Sequence, residues 1–239
     1  MDAVRVSYID SSAGPTAEEA ASGGSLIRRL AALLRPGVIG RGAWGANESL
    51  RYAQGSEVWP RSYLPSQKII VHHTASTNAP TDPAAVVRAI YYYHAIQQGW
   101  GDIGYNYLID DSGRVFEGRS GGANVVGGHA EKYNPGSIGI ALIGTFTGAD
   151  PSPKALAALE QLVVSKAVEH GFDPQGRSFF IDKETPNIMG HRDVMNTACP
   201  GERMYALLPS LRGRVSAGLP LFGQSWGTSS IPKLVDPGS

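Results

Sequence analysis

The sequence predicts an α/β protein, and three observations predict it. Residues 68–75 (KIIVHHTA) run three β-branched side chains into two histidines before small polar residues break the run, the pattern of a buried strand. Residues 137–144 (SIGIALIG) are apolar on both faces, as a central sheet strand requires. Around them lie stretches with apolar side chains at helical spacing, over 82–98 and 154–170.

A chain of 239 residues can bury one substantial core. Lys plus Arg equals Asp plus Glu at 21 each, so no net field draws the protein to nucleic acid or an anionic surface. No apolar run approaches the roughly 20 residues of a membrane span. The start, MDAVR, lacks a basic region followed by an apolar stretch, so no signal peptide is visible. Cys199 is the single cysteine; it excludes an intramolecular disulfide and leaves burial, reactivity or metal binding as its uses.

Residues 1–24 are rich in Ala, Ser, Gly and Glu and read as a poorly ordered arm. In residues 25–35 (SLIRRLAALLR), Leu26, Leu30, Leu33 and Leu34 recur at helical spacing and Arg28, Arg29 and Arg35 take much of the rest, which predicts a short amphipathic helix docked on the main body. Pro36-Gly37 ends it. Trp44 is a packing anchor, and residues 47–67 read as a long loop before the 68–73 strand.

Asp82-Pro83 is a capping side chain followed by proline at the first helical position. The helix it starts runs to about Gln98, with Val86, Val87, Ile90, Tyr93 and His94 on one face and Gly99 as terminator. Strands follow at 105–110 and 114–118 around the turn Asp111-Ser112-Gly113. A glycine-rich loop leads through Arg119 to His129. The helix at 154–170 turns Leu156, Leu159, Leu162, Val163 and Ala167 inward. A short strand at 187–190 carries the chain into His191, and residues 202–214 form a last helix. Beyond Ser216, Gly, Ser and Pro dominate, with Phe222 and Trp226 as anchors for the tail.

Successive strand residues face opposite sides, so at most one of His72 and His73 serves a given pocket. Three metal-capable groups stand at element ends: His72, His191 and Cys199. A catalytic zinc site takes three protein ligands and leaves the fourth place to water. By spacing alone, His191 and Cys199 fit either a metal pair or a buried thiol beside a satisfied histidine.

Six segments occur in order: IIVHHTA, GWGDIGYNYLI, GRVFEGR, VVGGHAEKYN, SIGIALIGTF and GHRDVMNTACPG. Together they resemble the peptidoglycan recognition protein / type 2 amidase family of zinc-dependent N-acetylmuramoyl-L-alanine amidases, which includes phage amidase lysins. The resemblance covers about residues 41–210 and reaches neither end. It implies a central mixed β-sheet flanked by α-helices, with one zinc ion per chain in a surface cleft.

Carried over position by position, the resemblance makes His72, His191 and Cys199 the zinc ligands, with His73 on the strand's opposite face. Tyr105 matches the catalytic tyrosine, whose hydroxyl holds the attacking water or protonates the departing group. Thr197 matches a position held by Thr or Lys in active members; in an extended loop it faces the same way as Cys199 and can assist the oxyanion. His129 matches a cleft histidine that contacts substrate, while His94, on the apolar helix face, reads as structural. Gly99, Trp100 and Arg119 match the set that favours meso-diaminopimelate stems, a guanidinium gripping the extra carboxylate. The single cysteine forbids the disulfide common in animal recognition proteins and points to a bacterial or phage enzyme.

The sequence therefore reads as an arm (1–37), an amidase domain (38–215) and a Gly/Ser/Pro-rich tail (216–239). The expected activity is hydrolysis of the amide between the muramic lactyl group and L-alanine of peptidoglycan, with a preference for diaminopimelate stems. The expected partner is peptidoglycan or a muropeptide, acted on outside the cell or in the wall by a monomer, without nucleic acid and without a membrane span. Two rivals remain: a binding module that does not cleave, which typically lacks the cysteine, and a cytosolic recycling amidase, which typically uses Asp as third ligand. Cys199 stands against both.

Overall fold

The computed structural model describes residues 36–219; the predicted helix at 25–35 and the tail with Phe222 and Trp226 lie outside the described residues. The chain enters through strand β1 (Val38–Ile39) and a single helical turn, Arg41–Trp44. Trp44 anchors this entry as expected: it is buried, its indole N–H donates to Glu117 O at 2.8 Å, and its ring meets Tyr91 edge-on. The segment read as a long loop carries a 3-10 turn, Glu48–Arg51, and a small hairpin of β2 (Tyr52–Ala53) and β3 (Ser56–Glu57).

Then comes β4 (Lys68–His73), buried at every position. The helix Pro83–Tyr92 begins as the sequence predicts, with the Asp82 carboxylate accepting from Ala85 N at 3.0 Å. Its buried face differs in one respect. Val87, Tyr91, His94 and Ala95 point inward while Tyr93 is exposed, because Tyr91 is the residue that meets Trp44.

The helix widens into a π-helical turn over Tyr93–Gln97. Gln98 N bonds to Tyr93 O, and Trp100 N reaches back to His94 O at 3.0 Å. Gly99, at φ +71°, supplies the left-handed residue that this reversal needs. Such π-bulges insert an extra residue and recur at functional sites; here the insertion places Trp100 at the cleft.

Strands β5 (Tyr107–Ile109), β6 (Val115–Glu117) and β7 (Ser137–Leu142) follow. After the helix Pro153–His170, a hairpin of β8 (Arg177–Phe180) and β9 (Lys183–Pro186) precedes β10 (Ile188–Gly190). The final helix, Glu202–Gly218, runs four residues past the expected 214 and buries Val215.

Six strands form one mixed sheet in the order β1-β6-β5-β7-β4-β10; β6 runs against β5 and the other neighbours are parallel. The pleat decides what each face receives. Ile69 and Val71 of β4 join Ile138, Ile140 and Leu142 of β7 under helices 153–170 and 202–218. On the opposite face, Leu108, Phe116 and Ala141 pack with Val87 and Tyr91, and further along Ile70 and Met189 pack with Tyr133 and Phe180. His72 belongs to that second face and stands where the parallel strands end, the usual place for a site in such sheets. Among the described residues, no helix is long and apolar enough to cross a membrane.

Candidate metal centre and cleft

β4 and β10 are parallel neighbours with Gly190 opposite Val71, so the residues leaving their carboxyl ends meet. His72 and His191 face each other with ring centroids 4.4 Å apart. The loop after His191 returns through a bond from Arg192 N to Cys199 O at 3.0 Å. That return sets the Cys199 sulfur 3.7 Å from His72 Nδ1. Ligand atoms of His72, His191 and Cys199 all lie within 4.8 Å of one another. The sequence-derived triad is thus brought together from three separate segments.

His73 takes the opposite face. Its Nδ1 accepts from Phe146 N at 3.3 Å, and its backbone N–H donates to the Cys199 sulfur at 3.3 Å. The Thr197 hydroxyl oxygen accepts from Cys199 N at 3.1 Å, which braces the turn beside the thiol. Tyr105 lies with its ring 5.3 Å from that of His72. His94 is sandwiched between Trp100 and Tyr105, and its Nδ1 accepts from Gly104 N at 3.1 Å, as a structural histidine should.

Burial sets the electrostatics. It holds His72 well below the ordinary histidine range, with His129, His191 and His73 adding to the effect. His129 is pushed down to about 3 by burial and His191, and His191 to about 4 by burial and His73. Burial raises the Cys199 thiol to about 11, against the His73 N–H and Arg192, which lower it. The Tyr105 hydroxyl is pushed up by burial and then by Cys199. At neutral pH the imidazoles are neutral, and the thiol and the phenol keep their protons.

The cleft beside this cluster has a volume of about 570 Å³, and Trp59, Gly99, Trp100, His129, Asn134 and His191 are among its walls. Gly99, Trp100 and His129 thus border this cleft. Arg119 does not. Its side chain is fully buried behind the Trp59 ring, with the guanidinium 3.7 Å from the ring centroid. Nη1 bonds to Asp102 Oδ2 at 2.8 Å, and Nη2 donates to Trp59 O at 2.9 Å. The carboxylate that Arg119 grips is the protein's own Asp102, which also draws in Arg41 at 3.0 Å and Arg51 at 3.6 Å. Arg119 is not among the walls of the cleft.

Sequence reasoning missed Trp59, Asn134, Ser137 and Asp102. Trp59 lay in a stretch read as loop, and neither spacing nor charge marked it. Asn134 does carry a local signal, a short polar side chain five residues after His129, and its Oδ1 accepts from His129 N and Ala130 N at 2.8 and 2.6 Å.

The residues present fit a zinc ion. Two neutral imidazoles and one thiol are a donor set this metal prefers. His191 Nε2 is also buried with no hydrogen-bond partner, as a nitrogen reserved for a metal would be.

A solved human recognition protein, PGRP-IBETAC in complex with glycosamyl muramyl pentapeptide, shares the fold at a TM-score of 0.58 and 30% identity, over 73% of this chain and 96% of that one. Fold and cleft thus place the chain in the peptidoglycan recognition class. A family profile described as N-acetylmuramoyl-L-alanine amidase matches residues 62–202, and the chain belongs to this type 2 amidase / peptidoglycan recognition family. Peptidoglycan recognition protein 1 of Bos taurus is 34% identical over 72% of this chain and 82% of its own length. A human N-acetylmuramoyl-L-alanine amidase is 35% identical over 61% of this chain and 24% of its own length.

Proposed function

We propose that the chain is a zinc-dependent N-acetylmuramoyl-L-alanine amidase, cleaving the bond between the muramic lactyl group and L-alanine of peptidoglycan, and that it works outside the cell or in the wall. The observation that carries this reading is Cys199: it brings the third ligand to His72 and His191, the group that a binding-only relative would lack. His72, His191 and Cys199 would hold the ion. When bound, zinc supplies Lewis-acid activation of the scissile carbonyl and of a water.

The chain's own groups do the rest. Burial pushes the Tyr105 hydroxyl up and favours its protonated form, so it serves as a donor, to the departing nitrogen or to the developing oxyanion. The Thr197 oxygen is taken by Cys199 N, which leaves its hydroxyl hydrogen for the oxyanion. Trp59 and Trp100 give the cleft apolar walls against which a muramyl peptide can lie. A preference for diaminopimelate stems belongs to this reading through Gly99 and Trp100, with Arg119 supporting the wall from behind.

Mass spectrometry of purified sacculi after digestion tests the reading. The expected products are free stem peptides beginning with L-alanine, lost with chelator and restored with Zn²⁺. Cys199→Ser is expected to abolish cleavage while muropeptide binding persists. Full cleavage by metal-free protein ends the zinc reading. Binding without cleavage in the zinc-loaded wild type makes the chain a recognition module instead.

A further inference from the structure

His129 borders the cleft, yet only 7% of it is exposed and both of its ring nitrogens are engaged. Nδ1 lies 3.0 Å from His72 Nε2, and Nε2 lies 3.5 Å from Ser137 Oγ. The ring is held in a slot cut for it. A Cβ at Gly139 or Gly127 would run into the imidazole, and the His129 backbone N–H is tied to Asn134. A side chain so enclosed keeps no free polar atom for a substrate.

One proton occupies the His72–His129 contact, and which nitrogen owns it decides what His72 can ligate. If His72 Nε2 carries the proton, Nδ1 presents its lone pair toward Cys199, 3.7 Å away. If His129 Nδ1 carries it, a neutral His72 must be protonated at Nδ1 and cannot ligate there.

Ser137 settles the direction. Its hydroxyl lies 2.6 Å from Tyr133 O and 3.2 Å from Asn134 O, so its hydrogen is committed to a carbonyl. Its oxygen is then an acceptor, and the atom of His129 that it faces is Nε2. The His129 proton therefore sits on Nε2, its Nδ1 accepts, and His72 Nε2 donates.

We propose that His129 is a positioning residue for the metal ligand His72: a one-way chain of hydrogen bonds from His72 through His129 and Ser137 to the Tyr133 carbonyl fixes the tautomer whose Nδ1 faces Cys199. This rests on the reading that His72, His191 and Cys199 hold zinc. Partners that orient a ligating histidine in this way act on metal affinity itself.

The test is zinc affinity of the full chain, measured by competition with a chromophoric chelator, with the tautomers of the metal-free protein read by ¹⁵N NMR of the histidine rings. His129→Ala is expected to weaken zinc about 10- to 100-fold. His129→Asn, which keeps an acceptor near the Nδ1 position, is expected to recover most of that loss. In metal-free wild type, both His72 and His129 should carry their proton on Nε2. Zinc bound as tightly by His129→Ala as by wild type overturns the proposal and leaves the amidase reading standing. A His72 proton on Nδ1 overturns it even where the alanine variant fails to fold. A wild type that binds no zinc overturns both.

Discussion

Two buried polar clusters back the same cleft and treat charge in opposite ways. Around His72, burial holds the imidazoles in their neutral form and leaves the thiol protonated. Around Asp102, charge is gathered instead: Arg41, Arg51 and Arg119 converge on one fully buried carboxylate, and Glu48 and Glu57 pair with the same arginines. The arginine knot carries its counter-charges within itself. The histidine cluster does not; it holds lone pairs and a displaceable thiol proton with no counter-charge, and what would complete it is a cation from outside. Buried polarity alone therefore does not mark a site. An unmet need does.

The contrast breaks most sharply at Asp102. Asp102→Ala leaves Arg119 buried without a carboxylate and Arg41 and Arg51 with only Glu48 and Glu57, and is expected to cost about 3–5 kcal/mol of stability, read from the urea midpoint. A loss below about 1 kcal/mol would mean that the knot is solvated and the comparison is false.

Acid sharpens the other side. His94 is held at about 4 by burial, while an unfolded histidine titrates near 6.5. Between those values the unfolded chain binds more protons than the folded one. Stability of the metal-free protein is therefore full above about pH 6.5 and falls as pH drops toward 4. The expected loss is on the order of 2 kcal/mol per buried histidine, followed by denaturant midpoints across that window. A flat profile would show that the imidazoles are not buried in their neutral form.

The smallest expected effect concerns selectivity. Because Arg119 meets Asp102 and Trp59 and not the cleft space, Arg119→Ala should slow cleavage of diaminopimelate and lysine stems alike, leaving their ratio within about twofold. A selective loss of about 10-fold or more on diaminopimelate stems would show that the guanidinium turns outward to meet substrate.

How legible the molecule was in its sequence follows the same division. The buried strands at 68–73 and 137–142 declared themselves by apolar runs, one helix by its Asp82-Pro83 start and the other by the helical spacing of its leucines. The candidate triad stood at element ends in motifs of known order; strand alternation put His72 and His73 on opposite faces, and the family resemblance chose His72. The short pieces were not legible. β1 has two residues, and the hairpins at 52–57 and 177–186 owe their pairing to tertiary contacts. One such contact is the buried Lys68 ammonium, which bonds to Ser178, Thr185 and Asn187. The burial of Arg119 was not legible because a motif names a residue but not its neighbour. Nothing near position 119 in the sequence announces Asp102 as the group that claims it.

Cys199 lies 127 positions from His72 along the chain. An ion shared by the two would close that long loop much as a disulfide would, and closing a loop of this length restricts the unfolded chain by about 4–5 kcal/mol. A protein with a single cysteine cannot make a covalent staple of its own. Its metal would be the staple, set only after both halves of the sheet have met, and removable by any chelator that reaches the cleft.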